Sequence, residues 1–393
     1  MTETVAMIDE QRMRDAGLSP ERLRATARED AHNDSATIRQ PQETRSFLAR
    51  ADAAQQSMNA LSADLDTLPT EGWNGPEPLL EIRENPRMMT SALAELRSIR
   101  RKLQRLPYTV NNHCGEPRTA CVAKAYLEAS GSVWNADALR IYLAEWQRTE
   151  PLLLEELWVL PVMLRFVLLE KILEQASERF EALTFGDNGP QFSGPAGDPE
   201  FAKLLSTRIL SLRDIAYVDW YFVMEPLVVF DAILREDPAN AYAKMDFDSR
   251  EVYRKEVARI ARFSDCTELD VARHAVELAR LAIQQPLRDS RVYLRRAHVG
   301  YYLIDKGFAD LKARIGYHPK FVDRLRDAVR RNADDVFVGG IEVLTVLLIA
   351  AILVPLIPNY SIFGGLTVAF LLLLIPATQG AVDLVNNAIS TLF

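Results

Sequence analysis

The chain has 393 residues, 48% of them hydrophobic and 25% charged, with a net charge of -8. That length leaves room for two or three domains and a sizeable core, and the acidic balance excludes non-specific nucleic-acid binding, which needs a basic face. Cys114, Cys121 and Cys266 form an odd, sparse set without metal-ligand spacing and are expected as reduced thiols; Cys114 and Cys121, near His113, lack a fourth ligand for zinc.

The first residues carry no basic segment followed by an apolar core, so they do not read as a signal peptide, and the polar part of the chain is expected to stay in the cytoplasm. Residues 1–75 are rich in Ala, Asp, Glu, Arg, Gln and Ser, the composition of a mobile polar leader with one or two weak helices. Pro69–Pro78 is turn-rich and marks its end. A soluble all-helical region is expected from 79 to 331. Met89, Leu93, Leu96, Ile99 and Leu103 recur at helical spacing, with Arg97, Arg100, Arg101, Lys102 and Arg105 on the other faces.

Leu152–Leu169 and Tyr217–Leu234 are apolar enough to resemble membrane spans. Each carries three central charges, however: Glu155, Glu156 and Arg165 in the first, Asp219, Glu225 and Asp231 in the second. Each charge opposes insertion by about 2.5–3.5 kcal/mol, so both stretches read as long core helices bent at Pro161 and Pro226. Gly186–Pro199 reads as a loop. Asp248 with Glu251 fits a capping box and Thr267 with Asp270 a looser one. Leu269, Ala272, Val276, Ala279 and Ile283 then form a packing seam. Almost nothing alternates with period two, so no sheet is expected and the fold class is all-α.

The last segment, 336–392, is different. Val336–Ile357 has Glu342 as its only charge, and a second apolar run begins at Ser361 and reaches spanning length by Val382. Roughly 20 apolar residues cross a hydrocarbon core, and the short linker Pro358–Tyr360 suits a transmembrane helical hairpin. Lys312, Arg314, Lys320, Arg324, Arg326, Arg330 and Arg331 precede the first run, while the turn is uncharged. Excess Lys and Arg stay inside, which orients both ends of the hairpin to the cytoplasm, with the turn around Asn359–Ser361 outside.

No catalytic constellation stands out: there is no phosphate loop, no G-x-G-x-x-G after a strand and no serine elbow. Asp246–Phe247–Asp248 is formally a D-x-D, a pattern that holds a divalent metal in nucleotide-sugar enzymes. Those carboxylates need a loop after a strand, whereas here the pair opens a helix. Asp334–Asp335 suits a helix N-terminus by dipole attraction. His32, His113, His274, His298 and His318 are scattered, so no histidine-based metal site is expected. Tyr293, Arg295, Arg296, His298, Tyr301, Tyr302 and Asp305 interleave aromatics with charge. Tyr293, Arg296, His298, Tyr301 and Tyr302 are candidates for contact with a partner or with a sugar; alternatively the tyrosines wedge into the bundle while Arg and Asp pair on its surface.

The runs Asp237–Arg262, Arg295–Gly307, Glu156–Glu170 and Ile375–Asn386 resemble, in order and spacing, the amino-terminal region of cyclic β-1,2-glucan synthases. That resemblance covers roughly Leu79 to the end, and Asn111–Lys124 departs from it. It implies a bacterial inner-membrane protein in which a helical region and first spans precede a transferase using UDP-glucose and a divalent metal, then a phosphorylase-like region. The sequence stops where that transferase is expected to start, so no catalytic, metal or donor-binding residue is carried over and no cofactor is expected here. The expected role is a membrane-anchored, non-catalytic module supporting glucan synthesis. Its expected partners are the lipid bilayer and a separately encoded glycosyltransferase or phosphorylase-like subunit. A small glycosyltransferase using Asp246 and Asp248, and a helical scaffold unrelated to glucans, remain as alternatives.

Overall fold

The computed structural model describes residues 17–33, 36–37, 41–67, 76–111, 114–181, 183–186, 189–192, 199–284, 290–318, 333–354 and 363–392. The chain divides into two compact units, one of residues 1–262 with 266–315, the other of residues 263–265 with 316–393.

The larger unit is built around the 28-residue helix Leu154–Glu181. Leu157, Leu160, Met163, Leu164, Phe166 and Leu168 are buried along it, and it runs on through Pro161. Its central charges survive burial because each finds a counter-charge. Arg118 donates from Nε to Glu156 at 2.8 Å and pairs with it again through Nη2. Arg165 pairs with Glu95 and donates to Ser91 Oγ at 2.7 Å. Breaking one partner of such a pair strands a buried charge, which costs about 3–5 kcal/mol. The stretch is therefore a core helix, as its charges predict.

Residues 17–67, expected within a mobile leader with one or two weak helices, supply helices Pro20–Asn33 and Pro41–Asp66, whose apolar faces are buried. Leu23, Ala27 and Ala31 on the first, and Phe47, Ala51, Met58, Leu61 and Leu65 on the second, are buried. Their spacing is helical, but their small Ala-rich faces are weak in mean hydropathy and show their use only once a partner surface is present.

Tyr217–Leu234 is not one bent helix. It breaks into Trp220–Met224, a 3-10 turn Glu225–Leu227 and Val229–Leu234. Asp219 caps the first, accepting from Tyr221 N at 3.1 Å, and Pro226 lacks the N–H that a continuous helix requires.

Two small antiparallel ladders depart from the expected absence of sheet. Ala36–Thr37, Tyr108–Asn111 and Cys114–Pro117 form one, in that order; Leu183–Gly186 pairs with Gly189–Phe192 in the other. These strands are two to four residues long, too short to show periodicity. The second lies in part within the expected Gly186–Pro199 loop. The side chains of His113 and Cys114 lie outside the described residues, and so does the zinc question they raised; Cys121 is in no disulfide and its Sγ lies 3.3 Å from Thr109 Oγ1.

The capping box at Thr267 and Asp270 is present on helix Glu268–Ile283. The buried face of that helix is Val271, Ala272, Ala275, Val276 and Ala279, so Leu269 and Ile283 lie outside it. At the start of helix Phe247–Arg262 the cap is Asp246, whose Oδ1 accepts from Ser249 N at 2.8 Å, and not Asp248.

In the smaller unit, helices Ala333–Leu353 and Phe363–Leu392 pack on one another. Gly340 approaches Val385, and Gly380 approaches Leu348, at 3.7 and 3.8 Å from their would-be Cβ positions, so the pair is antiparallel. Ile349, Ala377 and Ala381 fill the contact, while Val346, Leu347, Leu371, Leu372 and Ile375 are exposed. Small residues at the seam with large apolar residues outside is the reverse of a water-facing helix pair. Asp335–Leu353 and Val368–Asn387 are long and apolar enough to cross a membrane. The turn expected around Asn359–Ser361 falls outside the described residues.

Candidate functional site

The segments Asp237–Arg262 and Arg295–Gly307 are brought together in the larger unit around two buried carboxylates. Asp237 follows the short helix Val229–Leu234. Its Oδ2 accepts from Ala241 N at 3.0 Å, Tyr242 N at 3.1 Å and His298 Nδ1–H at 2.8 Å, and its Oδ1 from Val299 N at 3.0 Å. Burial by itself would raise this carboxyl. The hydrogen bonds from His298 and from the Tyr242 and Val299 amides more than offset it, and the carboxyl is held below its ordinary value.

His298 bridges onward. Burial raises the Tyr253 phenol, which keeps its proton and faces His298 Nε2 at 3.1 Å. Gly300 makes that approach possible. A Cβ there would lie 2.5 Å from Tyr253 Oη and 2.7 Å from His298 Nε2.

The second carboxylate, Asp231, accepts from Tyr242 Oη at 2.6 Å, Arg254 Nε at 2.8 Å and Arg235 Nε at 2.6 Å. Here too burial pushes upward, and Arg254, Tyr242 and Arg235 outweigh it, leaving the carboxyl lowered. Arg254, fully buried, reaches Glu225 Oε1 at 3.0 Å, and Arg250 meets the same oxygen at 2.6 Å. Both aspartates are thus ionised, with their oxygens engaged by several donors. A general base must have a free lone pair and a pKa near the working pH. Both carboxyls are held below their ordinary value and accept from several donors, so the arrangement reads as a clamp that locks three helices and a turn together.

The candidate contact residues lie beside this clamp. His298 is part of it. Tyr302 is buried, edge-on to Tyr301 at 5.2 Å, and burial raises its phenol. Tyr301 packs closely over Gly307, Arg296 sits 6.0 Å from the Tyr301 ring centroid, and Tyr293 Oη lies 3.4 Å from the Ile283 carbonyl. Arg295 pairs with Asp305 at 2.9 Å. Asp246 and Asp248 are both exposed, Asp246 being spent on its cap. Among the described residues no three His, Cys, Asp or Glu side chains converge as a metal site. Asp231, Asp237, Tyr242, Tyr253 and Arg254 escaped the sequence reading. Some of their bonds are local, Asp231 with Arg235 and Asp237 with Tyr242, but those that join separate elements, from Asp231–Tyr242 to Asp237–Val299, span 11 to 62 residues, and no local spacing announces them.

A cleft of about 670 Å³ lies between helices Pro41–Asp66, Arg118–Ala129 and Leu154–Glu181. Its charges pair across it: Arg50 joins Glu116 and meets Glu170 Oε2 at 2.7 Å. Burial raises Glu170, with Arg50 opposing.

No family model matches the chain. It is, however, similar to the cyclic beta-(1,2)-glucan synthase NdvB of Rhizobium meliloti (strain 1021), with 28% identity over 387 residues. The match takes in 79% of this chain and 13% of that protein. The chain therefore resembles a small part of a much longer cyclic glucan synthase, and the resemblance seen in the four sequence runs stands.

Proposed function

We propose that this chain is a membrane-anchored helical module that supports cyclic β-1,2-glucan synthesis from UDP-glucose without a catalytic centre of its own. The similarity to the cyclic glucan synthase over most of the chain is the observation that carries this reading. The apolar outer surface of the C-terminal helix pair supports anchoring in a bilayer. The basic flank from Lys312 to Arg331 supports a bacterial inner-membrane location with the helical unit and the C-terminus on the cytoplasmic side. The Asp231 and Asp237 clamp, its carboxylates bonded to several donors, and a D-x-D used as a helix cap support a scaffold rather than a transferase.

The module acts with a glycosyltransferase or phosphorylase-like partner, which supplies the metal and donor site. The test is reconstitution in liposomes with labelled UDP-glucose. The chain alone should transfer no glucose to lipid, protein or glucan, and glucan should form only when a transferase-bearing partner is added. Transfer by the pure chain that disappears on changing Asp246 and Asp248 to Ala would establish the small-transferase alternative instead.

A further inference from the structure

On the larger unit, the stretch Tyr217–Phe222 turns three aromatic side chains outward. Tyr217 is 85% exposed, Phe222 70% and Tyr221 58%. Two of these rings are held from behind. Tyr221 stands edge-on to Trp158 at 5.3 Å and to Phe247 at 4.9 Å, and Arg140 lies 4.7 Å from the Phe222 centroid. Trp220 tilts against Trp134 at 5.2 Å and donates from Nε1 to the Ile215 carbonyl at 3.2 Å. A group of large apolar side chains exposed in one place marks an interaction site, where single exposed residues would not. Rings fixed in advance lose little entropy when something covers them.

Cations flank this patch at two points. Arg87 and Tyr217 line one cleft, of about 330 Å³; Lys102, Trp158, Tyr221 and Lys255 line another, of about 430 Å³. Arg87 lies in the first turn of helix Pro86–Ser98, and Arg100, Arg101 and Lys102 belong to the short helix Arg100–Leu103 that follows. All four are exposed, and none makes an ion pair among the described residues. Their paired neighbours are held loosely, Arg97 by Asp52 at 3.3 Å, Arg105 by Glu155 at 4.0 Å and Arg213 by Asp214 at 3.6 Å. Surface pairs of this kind contribute little. In a chain of net charge -8 such a row is a local exception, and its complement is an anionic surface.

Aromatic rings at the apolar–water boundary with Lys and Arg beside them make the composition of a lipid headgroup contact. The cations meet lipid phosphates while the rings enter the interfacial layer. The chain also brings a bilayer with it, since Asp335–Leu353 and Val368–Asn387 are long and apolar enough to cross a membrane. Anchoring makes the lipid surface an intramolecular partner at high effective concentration, so a modest patch suffices.

We propose that this face of the helical unit docks on the headgroup layer of an anionic bilayer, with Tyr217, Tyr221 and Phe222 in the interface and Arg87, Arg100, Arg101 and Lys102 on lipid phosphates. The proposal rests on the membrane-anchored reading and adds to it a second, peripheral contact.

The test is hydroxyl-radical footprinting with mass spectrometry on the full chain, in detergent micelles and in nanodiscs. One set of nanodiscs is phosphatidylcholine alone; the other carries about 30% phosphatidylglycerol. In the anionic nanodiscs, oxidation of Tyr217, Tyr221 and Phe222 should slow about threefold or more relative to micelles. Leu294, 62% exposed on another helix, should not change. About 0.5 M salt should reverse most of the protection, and so should the triple variant Arg100→Gln, Arg101→Gln and Lys102→Gln. These three sites are at the surface, and unchanged far-UV circular dichroism will show that the variant folds. A chain recovered apart from the nanodiscs refutes the anchoring, and this docking with it. A chain held in nanodiscs with its three rings oxidised as fast as in micelles refutes the docking alone. Protection already complete in micelles, or equal in neutral nanodiscs and untouched by the triple variant, also overturns the proposal, because the rings are then covered by protein or held without charge.

Discussion

Replacing Glu268 by Gln should stabilise the larger unit, and only above mildly acidic pH. Glu268 opens helix Glu268–Ile283 and is 8% exposed. Burial pushes its carboxyl up to about 7; Glu156 and Glu155 add to the rise, while the Leu154 amide and Arg262 oppose it. In the unfolded chain the group titrates near its ordinary value of 4.5. Between those values the folded protein holds a proton that the unfolded chain has released, so wild-type stability falls as pH rises through that window. A difference of roughly 2.5 units at about 1.4 kcal/mol each amounts to about 3 kcal/mol by pH 8. The Gln amide keeps an oxygen for Leu154 N, which now lies 3.0 Å from Glu268 Oε2, and never ionises. Thermal unfolding followed by circular dichroism should therefore show the two proteins melting together near pH 4. They should separate progressively to on the order of 5 °C by pH 8, with Gln the more stable. A gap that does not change with pH, or a less stable Gln variant at pH 8, would refute the account.

Other expectations follow from the same geometry. Gly300→Ala places a methyl 2.5 Å from Tyr253 Oη and should cost about 1–3 kcal/mol in urea unfolding, as overpacking does; an unchanged midpoint counts against the His298–Tyr253 contact. Asp231→Ala leaves Arg254 buried without one of its partners and should cost about 3–5 kcal/mol, measurable in the same assay. Asp246→Ala should lose about 0.5–2 kcal/mol of helix cap, while Asp248→Ala, on an exposed carboxylate, should be silent; the opposite ranking would move the cap back to Asp248. Alkaline carbonate extraction should leave the chain in the membrane pellet, and recovery in the soluble fraction would remove the hairpin from the bilayer.

The sequence by itself determined the class of most elements and the nature of the C-terminal helices. An uninterrupted apolar run is a one-dimensional property, and so is a stretch such as Leu152–Leu169, whose charges mark it for a protein core. The capping box at Thr267 is equally local, because its bonds span three residues. Tertiary structure decided the rest. Residues 20–66 look like a polar leader because their apolar faces are narrow, and they become core only against the helices that cover them. Asp246 and Asp248 both read as cap candidates, and only the path of the chain into the helix selects Asp246. The Asp237–His298–Tyr253 and Asp231–Arg254 bonds, and the cleft that gathers Lys102, Trp158, Tyr221 and Lys255, join residues far apart in the chain. A pairing of that kind depends on where several helices cross, which no spacing within one helix encodes.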